Sequence, residues 1–258
     1  MMKTLIPVVL ALAGGVAIAD DSVTLHYTGP KAGDKWTDDK GTSGTFDVTA
    51  GGNKMKISNE SSEKLTIEVT KVKDGAVAEE KVSYTSFTEK QSMGGKDNSK
   101  TSPVVGKSYT VAAGSPITVT AASGKAGDDE VDVVRKDQKK VGKPDKMGKL
   151  LDGKSFTKDK KVDLPKAELA EALGDSDMKA ASMTMTYRGT TGGMASFDVT
   201  LDMEGDANGM HMTANLAGTL KVDPKNVQYG ILDVKGAIKG TGKATLDGTM
   251  SMHQASTK

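Results

Sequence analysis

The chain has 258 residues, with 35 Lys/Arg against 34 Asp/Glu and no cysteine. That excludes disulfides, thiolate chemistry and a lipid-bearing cysteine, and the charge balance gives no basis for binding nucleic acid. One Trp, five Tyr and four Phe are too few for an aromatic stacking platform for sugars or bases.

The N-terminus, MMKTLIPVVLALAGGVAIADDS, carries Lys3, an apolar run from Leu5 to Val16 and the small-residue pattern Ala17-Ile18-Ala19 ahead of Asp20. This order is that of a secretory signal peptide over residues 1–19. The run is short for a bilayer span and no second one follows. The expectation is an exported protein, periplasmic or extracellular, with no transmembrane segment after signal removal. Without Lys3 the chain holds 34 basic against 34 acidic residues.

Residues 20–123 are rich in Thr, Val, Ser and Gly, and short alternating runs recur: SVTLHYT, GTFDVTA, NKMKISN, KLTIEVTKV, KVSYTSFTE, KSYTVAA and PITVTAA. In KLTIEVTKV, Leu65, Ile67 and Val69 share one face and Val72 falls out of phase, as in a half-buried strand with a late slip. GGN, KDG, MGGKDN and AAGSP read as turns.

Residues 124–180 change character, with 12 Lys/Arg and 9 Asp/Glu between Lys125 and Asp163. DDEVDVVRKDQKK has acids first and lysines last, the polarity that suits a helix dipole. Val131 and Val134 form its narrow apolar stripe. DKMGKLLDG predicts a short turn of helix with Met147, Leu150 and Leu151 on one face. DLPKAELAEALG is the clearest helix, with Asp163 capping, Pro165 in the first turn and Gly174 ending it.

Residues 181–258 read as five long strands joined by GTTGG, GDAN, DPKN and KGTG. One face carries Met183, Met185 and Tyr187, then Phe197, Val199, Leu201 and Met203, then Met210, Met212, Ala214 and Leu216. Leu246, Met250 and Met252 close it. In VQYGILDVKGAIKG the apolar phase changes from Val227, Tyr229 and Ile231 to Leu232, Val234 and Ile238, which predicts a bulge. The whole predicts a mainly β fold: one domain over 20–258 built on a curved antiparallel sheet, half-barrel or barrel-like, with one or two short helices from the middle zone.

The order of signal segment, VKDGAVAEEKVSYTSF, VVGKSYTV with ITVTAASGK, a charged stretch ending DLPKAELAEAL, and GTLKVDPKNVQYGILDVKGAIKG resembles a family of secreted bacterial β-rich proteins from lineages with complex envelopes. The shape the likeness implies is similar to the periplasmic half-barrels that carry lipoproteins or lipids. Its motifs are turn glycines and alternating strands, so it carries over no functional residue.

Catalytic signatures are missing. There is no G-x-S-x-G elbow and no phosphate-cradling loop, and His26, His211 and His253 are the only histidines. The acids of DMEGDANG do not follow a calcium-loop spacing and read as a hairpin. Nothing calls for a cofactor. Nine methionines fall from Met178 onward, in three M-x-M pairs. Soft thioethers suit Cu(I), but in a strand His211 points away from Met210 and Met212, so no local chelate forms. Methionine also fills cores and lines adaptable apolar cavities.

The expectation is a non-enzymatic protein binding a hydrophobic ligand or envelope component in the concave face of the sheet. Met183, Met185, Met203, Met210, Met212, Leu216, Met250 and Met252 are the candidate lining. The alternatives are an envelope protein with a filled core that binds a partner protein, and Cu(I) binding by converging methionine pairs. Lipid, or another envelope protein, is the partner class.

Overall fold

The computed structural model describes residues 21–173, 178–207 and 209–258. The predicted signal segment and the helix stop at Gly174 lie outside these. Fourteen strands and three short helices follow in the order β1 (Ser22–Thr24), β2 (Lys35–Ala50), β3 (Asn53–Lys73), β4 (Ala76–Met93), β5 (Lys96–Thr101), β6 (Ser108–Ala112), β7 (Thr118–Ala121), α1 (Asp128–Asp137), α2 (Lys146–Leu151), β8 (Ser155–Thr157), β9 (Lys161–Asp163), α3 (Lys166–Leu173), β10 (Met178–Thr191), β11 (Met194–Ala207), β12 (Met210–Val222), β13 (Gly230–Gly242) and β14 (Thr245–Thr257).

The fold is mainly β, as predicted, and the large antiparallel sheet is open rather than closed. Its order is β7-β6-β4-β3-β2-β14-β13-β12-β11-β10-β9, with β5 paired to β4 and a separate β1–β8 pair. Both β zones of the sequence therefore belong to one sheet, joined where β14 pairs antiparallel with β2 over Thr245–Thr257.

The turns form where Gly-rich breaks place them. Gly51-Gly52, Gly94-Gly95 and Gly192-Gly193 all have positive φ in both residues. That is the mirror-image hairpin turn whose twist matches the strands it joins, and only glycine enters it freely.

Two cores lie on the same face of this sheet. Opposed residues in an antiparallel pair put their side chains on one side. The row Ala195, Val222, Gly230, Ser256, Asp38, Leu65 and Tyr84 thus runs from one core to the other. Leu25 just after β1, Phe156 of β8, Leu150 and Leu151 of α2 and Leu169 of α3 close the first over Met185, Tyr187, Phe197, Val199 and Leu216. Val134 of α1 and Val141 close the second over Trp36, Leu65, Ile67, Val82, Tyr84 and Tyr109. Each such side chain taken fully out of water stabilises by about 1.5–3 kcal/mol. Phe156 and Phe197 meet edge to face at 5.0 Å between ring centres, and Tyr84 and Tyr109 at 6.1 Å.

Two local expectations are corrected and one is met. NKMKISN and KLTIEVTKV are halves of one 21-residue strand, β3; the polar segment between them keeps its ladder bonds to β2. No register shift breaks β13 on either side. The apolar phase changes instead in the turn ahead of it, where Asn226 and Tyr229 close hydrogen bonds with Asp223. The predicted slip in β3 does occur, as register shifts between Val69 and Val72.

Candidate functional site

The eight predicted lining residues all project from one face. Met183 opposes Leu201, Leu201 opposes Leu216, Leu216 opposes Gly236 and Gly236 opposes Met250. A neighbouring row holds Met185, Val199, Gly218, Val234 and Met252. Met203 opposes Ala214 and Met212 opposes Gly240.

They do not, however, line one hollow. Met185 and Leu216 are fully buried, and Met183, Met203, Met250 and Met252 pack against the same core. The elements α2, α3, β1 and β8 fill the space over the meander, so these six act in packing. Met210 and Met212 are half-buried and belong to neither core. His211 lies on the opposite face with Asp206, 3.1 Å from its Nδ1.

The open cavities belong mostly to the other face. The one of about 480 Å³ takes Ala237 and Lys239 from β13 but not Ile238 between them, together with Ser182, Asp202 and Asn215. Those of about 970 and 630 Å³ draw most of their lining from Ser43, Thr45, Glu60, Lys235 and Ser251 and similar alternate positions. These are broad, open grooves. They touch the predicted set at Met203, Met250 and Met252, and not at Met183, Met185, Met210, Met212 or Leu216.

What remains open on the methionine face is its hairpin end. Phe46 and Val48 of β2, Met55 and Ile57 of β3, Met93 of β4, Met210 and Met212 of β12 and Leu246 of β14 lie there. None of the eight enters either core, and Met55 and Met93 are 40% and 47% exposed. Glycines shape this end. A Cβ on Gly248 would stand 2.7 Å from Phe46 Cδ1, and one on Gly240 2.6 Å from Met212 Sδ. The ring and the thioether therefore lie down on the sheet across glycine backbone, which makes a shallow apolar bed rather than a pocket. Only Met210 and Met212 of this group were predicted as lining. Phe46, Val48, Met55 and Ile57 sit in runs that alternate and Leu246 on the predicted inward face, yet none was assigned to the lining, and Met93 falls in a segment read as a turn.

A second cluster was not predicted. Asp38 and Lys40 of β2, Glu63 of β3, Glu80 and Tyr84 of β4 and Asp137 of α1 meet beside the second core. Lys40 Nζ donates to Asp137 Oδ1 at 2.9 Å and to Glu63 Oε1 at 3.4 Å. Tyr84 OH donates to Asp137 Oδ2 at 2.8 Å and Ser256 Oγ to Asp38 Oδ1 at 2.6 Å. Glu80 is buried, and its Oε1 has no partner. Burial, aided by Asp137 and Asp38, pushes the Glu80 carboxyl up to about 7. Burial also raises Asp38 and Glu63 despite the nearby ammonium. For Lys40 burial works against the charge, but Asp137 and Glu63 outweigh it and its pKa rises. No group of three or more His, Asp or Glu among the described residues is placed to hold a metal. The arrangement can store protons and hold α1 to the sheet. In sequence, DDKGTSG and SNESSEK look like solvated polar segments, and only the i, i+2 spacing of Asp38 and Lys40 hints that both face inward.

His253 lies within β14, with Nδ1 2.6 Å from Asp233 Oδ1. Among the described residues no helix is long and apolar enough to cross a membrane.

No protein-family model matches the chain, and no curated protein matches it. Among solved structures it is similar to DynF from the dynemicin biosynthesis pathway of Micromonospora chersina. That match has 10% identity over 92% of this chain and 90% of the other, with a TM-score of 0.21, a likeness that carries no argument about fold or function.

Proposed function

We propose that this chain is a non-enzymatic binding protein that takes an apolar ligand of the acyl-chain class on the open hairpin end of its sheet. The observation that carries this is the set Phe46, Val48, Met55, Ile57, Met93, Met210, Met212 and Leu246, gathered on one face of adjacent strands outside both cores. Apolar area left in water at this density marks a binding surface, and methionine adapts to chains of varied shape. Burial of that area drives association. Export, read from the signal-like N-terminus, belongs to the same proposal.

Delipidated protein is expected to enhance the emission of a fluorescent fatty acyl probe. Replacing Phe46 and Leu246 together by serine should weaken binding at least tenfold without lowering the melting temperature by more than a few degrees. A probe that never responds, or a double variant that binds as tightly as the parent, refutes the reading.

The filled core beneath α2 and α3 supports a second reading, in which the same bed receives a partner protein of the envelope. Retention of a protein, and not of lipid, by the bed and its loss in the same double variant would favour it.

A further inference from the structure

The apolar bed has a direction. One cross-sheet row passes Ile238, Gly248, Phe46, Ile57 and Met93 and ends on Lys96. Opposed residues share a face, so the Lys96 ammonium stands on the same side as the apolar row, at the outer strand β5. The rows on either side hold no acid or base across these strands. One runs Gly240, Leu246, Val48 and Met55, the other Met250, Gly44, Asn59, Gln91 and Asn98. Lys96 is thus the one charged side chain of the three rows, and it lies beside the exposed amides of Gln91 and Asn98.

A cation with amide donors at one end and unbroken apolar surface toward the other complements a molecule with an anionic oxygen head and a hydrocarbon tail. From Lys96 to Gly248 the row crosses four strand spacings, roughly 19 Å at ~4.8 Å each, which is the reach of a long acyl chain laid across the strands. We infer that the ligand is a single-chain anionic amphiphile, a fatty-acid carboxylate, with its head at Lys96 and its tail over Ile57, Phe46 and Leu246. This rests on the acyl-chain reading above. The ion pair is exposed, so it orients and selects the ligand while burial of the tail supplies most of the affinity.

Hexadecanoate and hexadecanol carry the same tail and differ in the head, and isothermal titration of delipidated full-length protein at low salt separates the two terms. The acid should bind roughly three- to tenfold tighter than the alcohol, with the gap closing as salt screens it. Lys96→Gln should erase the gap and leave the alcohol unchanged, whereas Lys54→Gln, on the opposite face of β3, should preserve it. Equal binding of acid and alcohol by the parent, or a gap that survives Lys96→Gln, overturns the inference and leaves the acyl-chain reading standing. Failure of both ligands, with sedimentation showing self-association through this end, overturns both.

Discussion

Glu80 brings a carboxylate into a place with no partner for one of its oxygens, and the consequence is a pH dependence of defined sign. Its folded-state pKa lies above the value of an exposed glutamate, as do those of Glu63 and, relative to aspartate, Asp38. Between the usual carboxylate range and about pH 7 the folded chain therefore holds protons that the unfolded chain has released. The contribution to stability is complete below the unfolded pKa and is lost as pH rises through the folded one. Denaturant melts should show stability falling from pH 5 to pH 8. Glu80→Gln should flatten that fall and stabilise the protein at pH 8 by on the order of 2–3 kcal/mol. A variant with the parent's pH slope would place the proton elsewhere. This cluster was not legible in the sequence, because burial of Asp38 and Glu63 is decided by α1 arriving from a hundred residues away through Asp137. The facing of Met210 against His211 was legible, since it depends only on the two-residue period of a strand.

The strands of the C-terminal meander differ in how much their close contacts tolerate. At Gly218 a Cβ would strike the Asp233 carbonyl and stand 2.8 Å from Val234 Cα, so β12 and β13 meet there backbone to backbone. Gly218→Val should open that pairing and cost about 2–3 kcal/mol or more. Hydrogen exchange should localise the loss to β12 and β13 while α1 keeps its protection. Uniform loss across both cores would show that the meander is not a separable cooperative unit. Element existence was readable wherever alternation was strong, as in all five strands of the meander. It failed in the middle of β3, where Ser, Asn and Glu replace the apolar positions and the ladders to β2 and β4 keep the chain extended. The helices were readable from charge order and spacing. Which core each one covers was not, because that is set by topology.

At the scale of the molecule the sheet is continuous, yet its apolar side is covered at one end and bare at the other. The outermost strands of the main path, β7 and β9, are only four and three residues long, and short edges limit edge-to-edge association. The hairpin end is where that apolar face lies outside both packed cores. Deleting residues 245–258 should remove the strand that joins the two halves. Each half should then keep its own packed face and unfold in a separate transition, measurable by calorimetry; a single transition near the parent's temperature would show that β14 is dispensable. The pairing of β14 with β2 has one more consequence, which concerns time. The first long strand of the chain waits for the last, with about two hundred residues between partners, so this contact has a very high sequence separation and slows folding. The two halves become one body only once β14 has been made and has found β2.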